Sequence, residues 1–306
     1  MNWRVKGVVQ GVLSTVPGGG FINNRLQTTL GNLRDFEGNV DAKVVGDWLV
    51  LMSHMRELGV RPQNLDYVEV GTGWYPTLPL CYSLAGARSC RTFDVTRHLN
   101  QKMTFRMLRR LEIHLPAIAE GSFRPFEEVR AAYQSLCATN TTGELLRTAR
   151  VEYRAPHDAA ASELPDGSVD VIFSNSVLEH VPADAILRIM RESRRILRPG
   201  GLAIHSANCG DHYAYFDKSI TPINYLTFSE RQWKRWNNEL LYQNRLRPSD
   251  FLHLAEEAGL RVILDKSKPR AELLAALPSL PIAPEFQHYG PSQLAATSID
   301  FVAQSI

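Results

Sequence analysis

The chain has 306 residues, 44% of them hydrophobic and 22% charged, with a formal net charge of +2. That length allows one large core with additions, and so balanced a charge makes no electrostatic case for nucleic acid. Four cysteines without C-x-x-C spacing argue against a zinc site or a disulfide framework, and no apolar run approaches the roughly 18 residues of a membrane span, so a cytoplasmic protein is expected.

In chain order, "MNWRVKGVVQGVLSTVPGGGF" reads as an N-terminal arm, because polar residues and glycines interrupt its apolar stretch and no small-x-small cleavage site follows. From Asp41 to Leu58, Val44, Val45, Trp48, Leu49, Met52 and Met55 recur at helical spacing before Gly59, so residues 1–62 are expected to form an arm and helical cap. Residues 63–306 then read as the main domain. A strand at Tyr67–Val70, a glycine turn, a helix over "TLPLCYSLAGA" and a strand over "SCRTFDV" open it. About 97–150 breaks the rhythm with two amphipathic helical patterns followed by "ATNTTGELLRTAR", a helical insertion that either packs over the sheet or walls a substrate. Strands at "VEYRA" and "SVDVIFS", a helix over "ADAILRIMRESRRIL" ended by "RPGG", and a strand at "LAIHSA" restore the alternation. About 207–306 is a C-terminal extension: an irregular segment, helices over "ERQWKRWNNELL" and "SDFLHLAEEAG", and strands at "LRVILD" and "TSIDFVAQ". Alternating strands and helices predict an α/β, doubly wound, mostly parallel sheet.

In "LDYVEVGTGWYP" a G-x-G follows an apolar strand, but Pro76 stands where a dinucleotide fingerprint needs its third glycine. An adenosine ligand without a pyrophosphate fits such a turn better. With "FDV", "HDAAASELPDGSVDVIFSNSVLEHV" and "ILRPGGLAIHS" in the same order, residues 65–206 resemble the class I S-adenosylmethionine-dependent methyltransferases of the type 11 kind. The resemblance implies a Rossmann-like seven-stranded sheet with an antiparallel strand near "TSIDFVAQ". It also implies S-adenosylmethionine held by Glu69, Gly71, Thr72, Gly73, Asp94, Asp158, Ala159 and Asn175, although Glu69, inside a strand, can instead pair with a nearby cation. Asp94 would take the ribose hydroxyls and Asp158 the adenine amino group, although Asp158 can instead cap the next segment. Trp74 and Tyr75 are read as packing.

The segment "CGDHYAYFDKSITPINYLTFSERQW" is similar to a subgroup from small-molecule and surface-polysaccharide pathways, which implies a small hydroxylated or amino acceptor. Methyl transfer needs few catalytic groups, and a hydroxyl acceptor would gain from a general base. His212 is the first candidate, with His180 second and Asp211 to orient it; His205, inside a strand, reads as a core residue. No metal ligands are assigned. Tyr213, Tyr215, Phe216, Tyr225 and Trp233 either wall an acceptor pocket or fill core. "RQWKRWNNELLYQNRLR" interleaves basic and aromatic residues, yet a solvated amphipathic face is the preferred reading over a nucleic-acid surface. The rivals are a nicotinamide-dependent oxidoreductase and a non-catalytic scaffold.

Overall fold

The structure, a computed structural model, describes residues 2–15, 35–238 and 242–306. Strands β1 (Asp66–Val70), β2 (Ser89–Phe93), β3 (Val151–Arg154), β4 (Val169–Asn175), β5 (Leu197–Asn208), β6 (Leu260–Asp265) and β7 (Ser298–Ser305) form a sheet in the order β3-β2-β1-β4-β5-β7-β6. β1 is buried throughout and pairs in parallel with β2 and β4, and β2 pairs in parallel with β3. From β1 the chain builds outward to β3, then returns to β1's other edge with β4. That reversal makes the C-terminal end of β1 the topological switch point, where ligands of doubly wound sheets bind. β7 sits between β5 and β6, and the antiparallel bridge Pro269–Ala296 leads into that pairing. The expected α/β, doubly wound, mostly parallel seven-stranded fold is therefore present.

Helices α1 (Trp3–Thr15), α2 (Phe36–Ala42), α3 (Leu49–Glu57), α4 (Thr77–Leu84), α5 (Gln101–Leu111), α6 (Leu115–Ser122), α7 (Phe126–Cys137), α8 (Thr142–Thr148), α9 (Ala183–Ile196), α10 (Glu230–Trp233) and α11 (Pro248–Glu257) accompany the strands. Four stretches of the chain differ from expectation. The cap helix starts at Phe36, capped by Asp35, and a π segment at Lys43–Trp48 joins α2 to α3. α8 occupies a stretch to which the sequence pattern assigns no helix, and a reciprocal capping box between Thr141 and Glu144 opens it. The helix predicted over 230–241 is only Glu230–Trp233, and 239–241 lie outside the described residues, as do 16–34 of the arm. "RPGG" is part of β5: Gly200 has φ +81°, and a Cβ on Gly201 would stand 2.9 Å from Arg198 O and 3.1 Å from Asp170 O.

The chain forms two compact units. The first comprises 35–175, 189–204 and 302–306, and the second, among the described residues, 2–15, 176–188, 205–238 and 242–301. In the first, Tyr82 of α4 packs 4.2 Å from Tyr67 and 4.7 Å from Phe173, ring centre to ring centre, with Trp48 at 6.0 Å. In the second, Trp3 of α1 lies 5.3 Å from Tyr213 and 4.9 Å from Trp236, in a core that includes Tyr225 and Trp233. Tyr213, Tyr225 and Trp233 are thus core residues, and Tyr215 alone of the five expected aromatics is largely exposed.

Candidate functional site

In the first unit the chain leaves β1 through Gly71 (φ +82°) and Gly73 (φ +73°), backbone conformations that side chains resist. Gly71 N–H donates to Phe93 O at 2.8 Å, and Gly73 N–H donates to Asp94 Oδ2 at 2.9 Å, so the ends of β1 and β2 are joined through the turn. Asp94 Oδ1 accepts from Thr96 N–H at 3.2 Å, holding the carboxylate's direction while each oxygen retains a further lone pair. The Thr72 and Thr92 hydroxyls are hydrogen-bonded beneath the turn. Pro76 is the N-cap of α4, where no third glycine is required.

Glu69 is 3% exposed, and its Oε2 has no hydrogen-bond partner among the described residues. Burial raises its pKa well above the usual carboxylate range, while the Lys43 charge and the Thr72 hydroxyl pull the other way. A buried carboxylate oxygen without a donor is costly, and a ligand hydroxyl or amine would relieve it. Lys43, in the π segment, escaped the sequence reading because nothing local ties it to a strand 26 residues later.

Asp158 is exposed and caps a short 3-10 turn, its Oδ1 accepting from Ala160 N–H at 2.9 Å, with Ala159 the first residue of that turn. The capping alternative is thus observed for it. Its neighbour His157 donates its N–H to Asp94 O at 2.9 Å, which brings the β3 end beside the β2 end. Asn175 is the last residue of β4 and is half-buried.

In the second unit a cavity of about 550 Å³ is lined by Asn208, Asp211, Tyr215, Lys218, Arg270 and Thr297, among others. Asn208 donates its amide to the Tyr215 hydroxyl. His212 and His180 lie beside each other with ring centres 5.1 Å apart, and Tyr215 is 5.5 Å from His212. Burial, helped by the His180 and Lys6 charges, lowers the His212 pKa to about 3. His180 keeps an exposed edge, yet desolvation still lowers it, opposed by its hydrogen bond to Tyr242 O. Asp211 does not orient His212. Its carboxylate accepts from Tyr213 N–H at 2.8 Å and Asn224 Nδ2 at 3.1 Å, capping the turn that carries His212, because a preceding aspartate meets backbone N–H groups first. Burial pushes Asp211 up to about 6. His205 is fully buried against Phe301 at 5.3 Å and lowered to about 3, a core histidine as expected.

In the basic stretch after Ser229, Arg231, Lys234 and Arg235 are exposed, while the later arginines turn inward. Arg245 bonds Tyr225 O at 3.0 Å and Glu230 at 2.7 Å, and Arg247 is fully buried among backbone acceptors. Sequence reasoning also missed Gln243, Asn244 and Arg270, which no local pattern distinguishes. Glu179 was likewise overlooked, although it directly precedes His180 and those two groups stand close to His212.

Residues 118–205 match the family described as methyltransferase domain. The matched stretch contains Asp158, Ala159 and Asn175 but not the glycine turn or Asp94. No curated protein shows significant similarity to this chain. Solved structures with a similar course include an S-adenosylmethionine-dependent methyltransferase from Mesorhizobium loti, with 16% identity, TM-score 0.45, and coverage of 82% of this chain and 96% of that one. Another is magnesium protoporphyrin IX methyltransferase from Synechocystis PCC 6803 with bound S-adenosylhomocysteine, with 11% identity, TM-score 0.45, and coverage of 88% and 83%. A third is geranyl diphosphate methyltransferase in complex with S-adenosylmethionine, with 11% identity, TM-score 0.46, and coverage of 88% and 90%. Likeness at that level assigns no chemistry. No helix among the described residues is long and apolar enough to cross a membrane.

Proposed function

We propose that this chain binds S-adenosylmethionine at the glycine turn and transfers its methyl group to an oxygen or nitrogen of a small-molecule acceptor. The observation that carries the reading is the arrangement at the switch point. Two positive-φ glycines follow β1, Asp94 is held at the adjoining strand end, and the Glu69 carboxylate lies in the same unit with an oxygen unpartnered. Asp94 would take the ribose hydroxyls, the uncovered backbone at Gly71–Gly73 would pass close to the ligand, and Ala159 and Asn175 would add flanking contacts. The methyltransferase-domain match over 118–205 supports the same reading.

In the reaction, the acceptor lone pair forms the new bond to carbon as the carbon–sulfur bond breaks. S-adenosylhomocysteine leaves, and the acceptor's proton passes to water or a base. An in-line displacement of this kind depends chiefly on alignment and exclusion of water. The second unit by itself holds a polar cavity of about 550 Å³, of a size to take a small molecule, lined by Asn208, Tyr215, Lys218 and Arg270 among others. The expectation of a histidine base is revised. An imidazole with a pKa near 3 is a poor proton acceptor at neutral pH, so proton transfer is not assigned to His212.

The test is calorimetric titration of the full chain with S-adenosylhomocysteine, beside Asp94→Ala and beside NAD. Binding to the wild type that the substitution weakens by about 1–3 kcal/mol, the range for hydrogen bonds to a charged group, is the expected result. NAD binding in its place would favour the oxidoreductase, and absence of both the non-catalytic scaffold.

A further inference from the structure

We propose that Glu179, His180 and His212 form a binding site for a divalent first-row transition-metal ion. One ligand atom from each of the three lies within 4.8 Å of the others. Ligands at about 2.0–2.1 Å from an ion in tetrahedral arrangement stand about 3.3 Å apart, so small side-chain rotations close the set. Two imidazoles and one carboxylate suit zinc, iron(II), cobalt(II) or manganese(II) and leave coordination positions open, whereas calcium and magnesium prefer oxygen alone.

A second, independent observation is how the ligands are held. Three consecutive residues, Tyr242, Gln243 and Asn244, each brace a different member of the set. Tyr242 O accepts from His180 Nδ1 at 2.8 Å, which fixes the tautomer and leaves Nε2 with its lone pair free to coordinate. A backbone carbonyl on the far nitrogen is the usual support of a metal-binding histidine. Gln243 Oε1 accepts from His212 N–H at 3.2 Å, and Gln243 Nε2 donates to Gly210 O at 2.5 Å, which pins the turn bearing His212. Asn244 N–H donates to Glu179 O at 2.8 Å, and its amide donates to Leu178 O at 2.7 Å and Val181 O at 2.8 Å, enclosing the turn bearing Glu179 and His180. Such bracing is what a preformed ligand set requires. Lys6 opposes a cation here, and the Glu179 carboxylate supplies the compensating charge.

The inference does not depend on methyl transfer, so its test reads metal binding directly. The full chain, without a polyhistidine tag and stripped by a chelator, is titrated with cobalt(II) by visible absorption and with zinc(II) by calorimetry. A single site of about micromolar affinity or tighter is expected, weakened about 10–100-fold or more in His180→Ala, His212→Ala and Glu179→Gln, and about tenfold in Asn244→Ala. Glu179 is buried, so thermal melts of the metal-free variants accompany the titrations, and the His180→Ala result decides if Glu179→Gln fails to fold. No saturable binding by the wild type, or equal binding by folded His180→Ala and His212→Ala, overturns the proposal.

Discussion

Two stretches of irregular backbone carry the candidate sites, and they are held in different ways. Around Gly71–Asp94 the chain is secured by neighbouring strands and by short-range rules: positive φ at glycine, a carboxylate on a turn N–H, a ladder on either side. Among the described residues from Cys209 to Arg247 the backbone has only brief turns and the short helix α10, and it is secured by long polar side chains instead. Arg247 donates to Cys209 O and the Tyr225 hydroxyl, both at 2.9 Å, to Gln293 O at 3.1 Å, and to Ala296 O. The Tyr225 hydroxyl in turn donates to Cys209 O at 2.6 Å. Backbone without ladder partners must still satisfy its carbonyls, and a buried guanidinium with five donors does so at several points of the chain. The first arrangement is local and repeatable, while the second depends on residues brought together from far apart.

Arg247→Met puts this difference to its hardest test. It leaves several buried acceptors unsatisfied at once and is expected to destabilise the protein by about 3–5 kcal/mol in urea unfolding. A loss under about 1 kcal/mol would mean that water replaces the side chain and that the two stretches are not so different. Next comes Asp211, 2% exposed and pushed up from 3.8 to about 6 by burial. The native state then binds this proton more tightly than the unfolded chain does. The group's contribution is complete below about pH 4 and falls as pH rises through 6. The stability of the wild type relative to Asp211→Asn should therefore drop by about 2–3 kcal/mol between pH 4 and 7, read from unfolding curves at both.

In the first unit the effects are smaller and local. Gly71→Ala forces a side chain into φ +82° and should cost about 1–2 kcal/mol, with weaker S-adenosylhomocysteine binding in the same preparation. Unchanged binding in a variant that is destabilised would separate the turn's structural part from a ligand-binding one. Thr141→Ala removes the hydroxyl that caps α8 at Glu144 N–H, 3.2 Å away, and should cost about 1 kcal/mol by thermal unfolding.

The capping box of α8 was present in the sequence as Thr141-x-x-Glu144, but it was hidden behind the breaker-rich "ATNTTG" that precedes it. Periodicity found α7 and α9 within one residue of their ends because each buries one apolar stripe. Among the described residues, the helix predicted over 230–241 ends at Trp233, whose ring packs among Tyr213, Tyr225 and Phe228. In the candidate sites, Gly71, Gly73 and Asp94 were legible because their roles follow from position relative to one strand end. Asp158 shows the limit of that logic, since a cap and a ligand contact call for the same residue at the same place.

The sequence by itself determined the alternation of strands and helices, the glycine turn after β1 and the acidic residue that closes on it. Each is set by periods of 2 and 3.6 residues or by φ preferences, which act over a few neighbours. Only the tertiary structure decided that Lys43 faces the charge of Glu69, that Arg247 is interior, and that 242–244 brace Glu179, His180 and His212. Those outcomes depend on burial and on hydrogen bonds between residues tens of positions apart, where desolvation decides which polar groups must find one another.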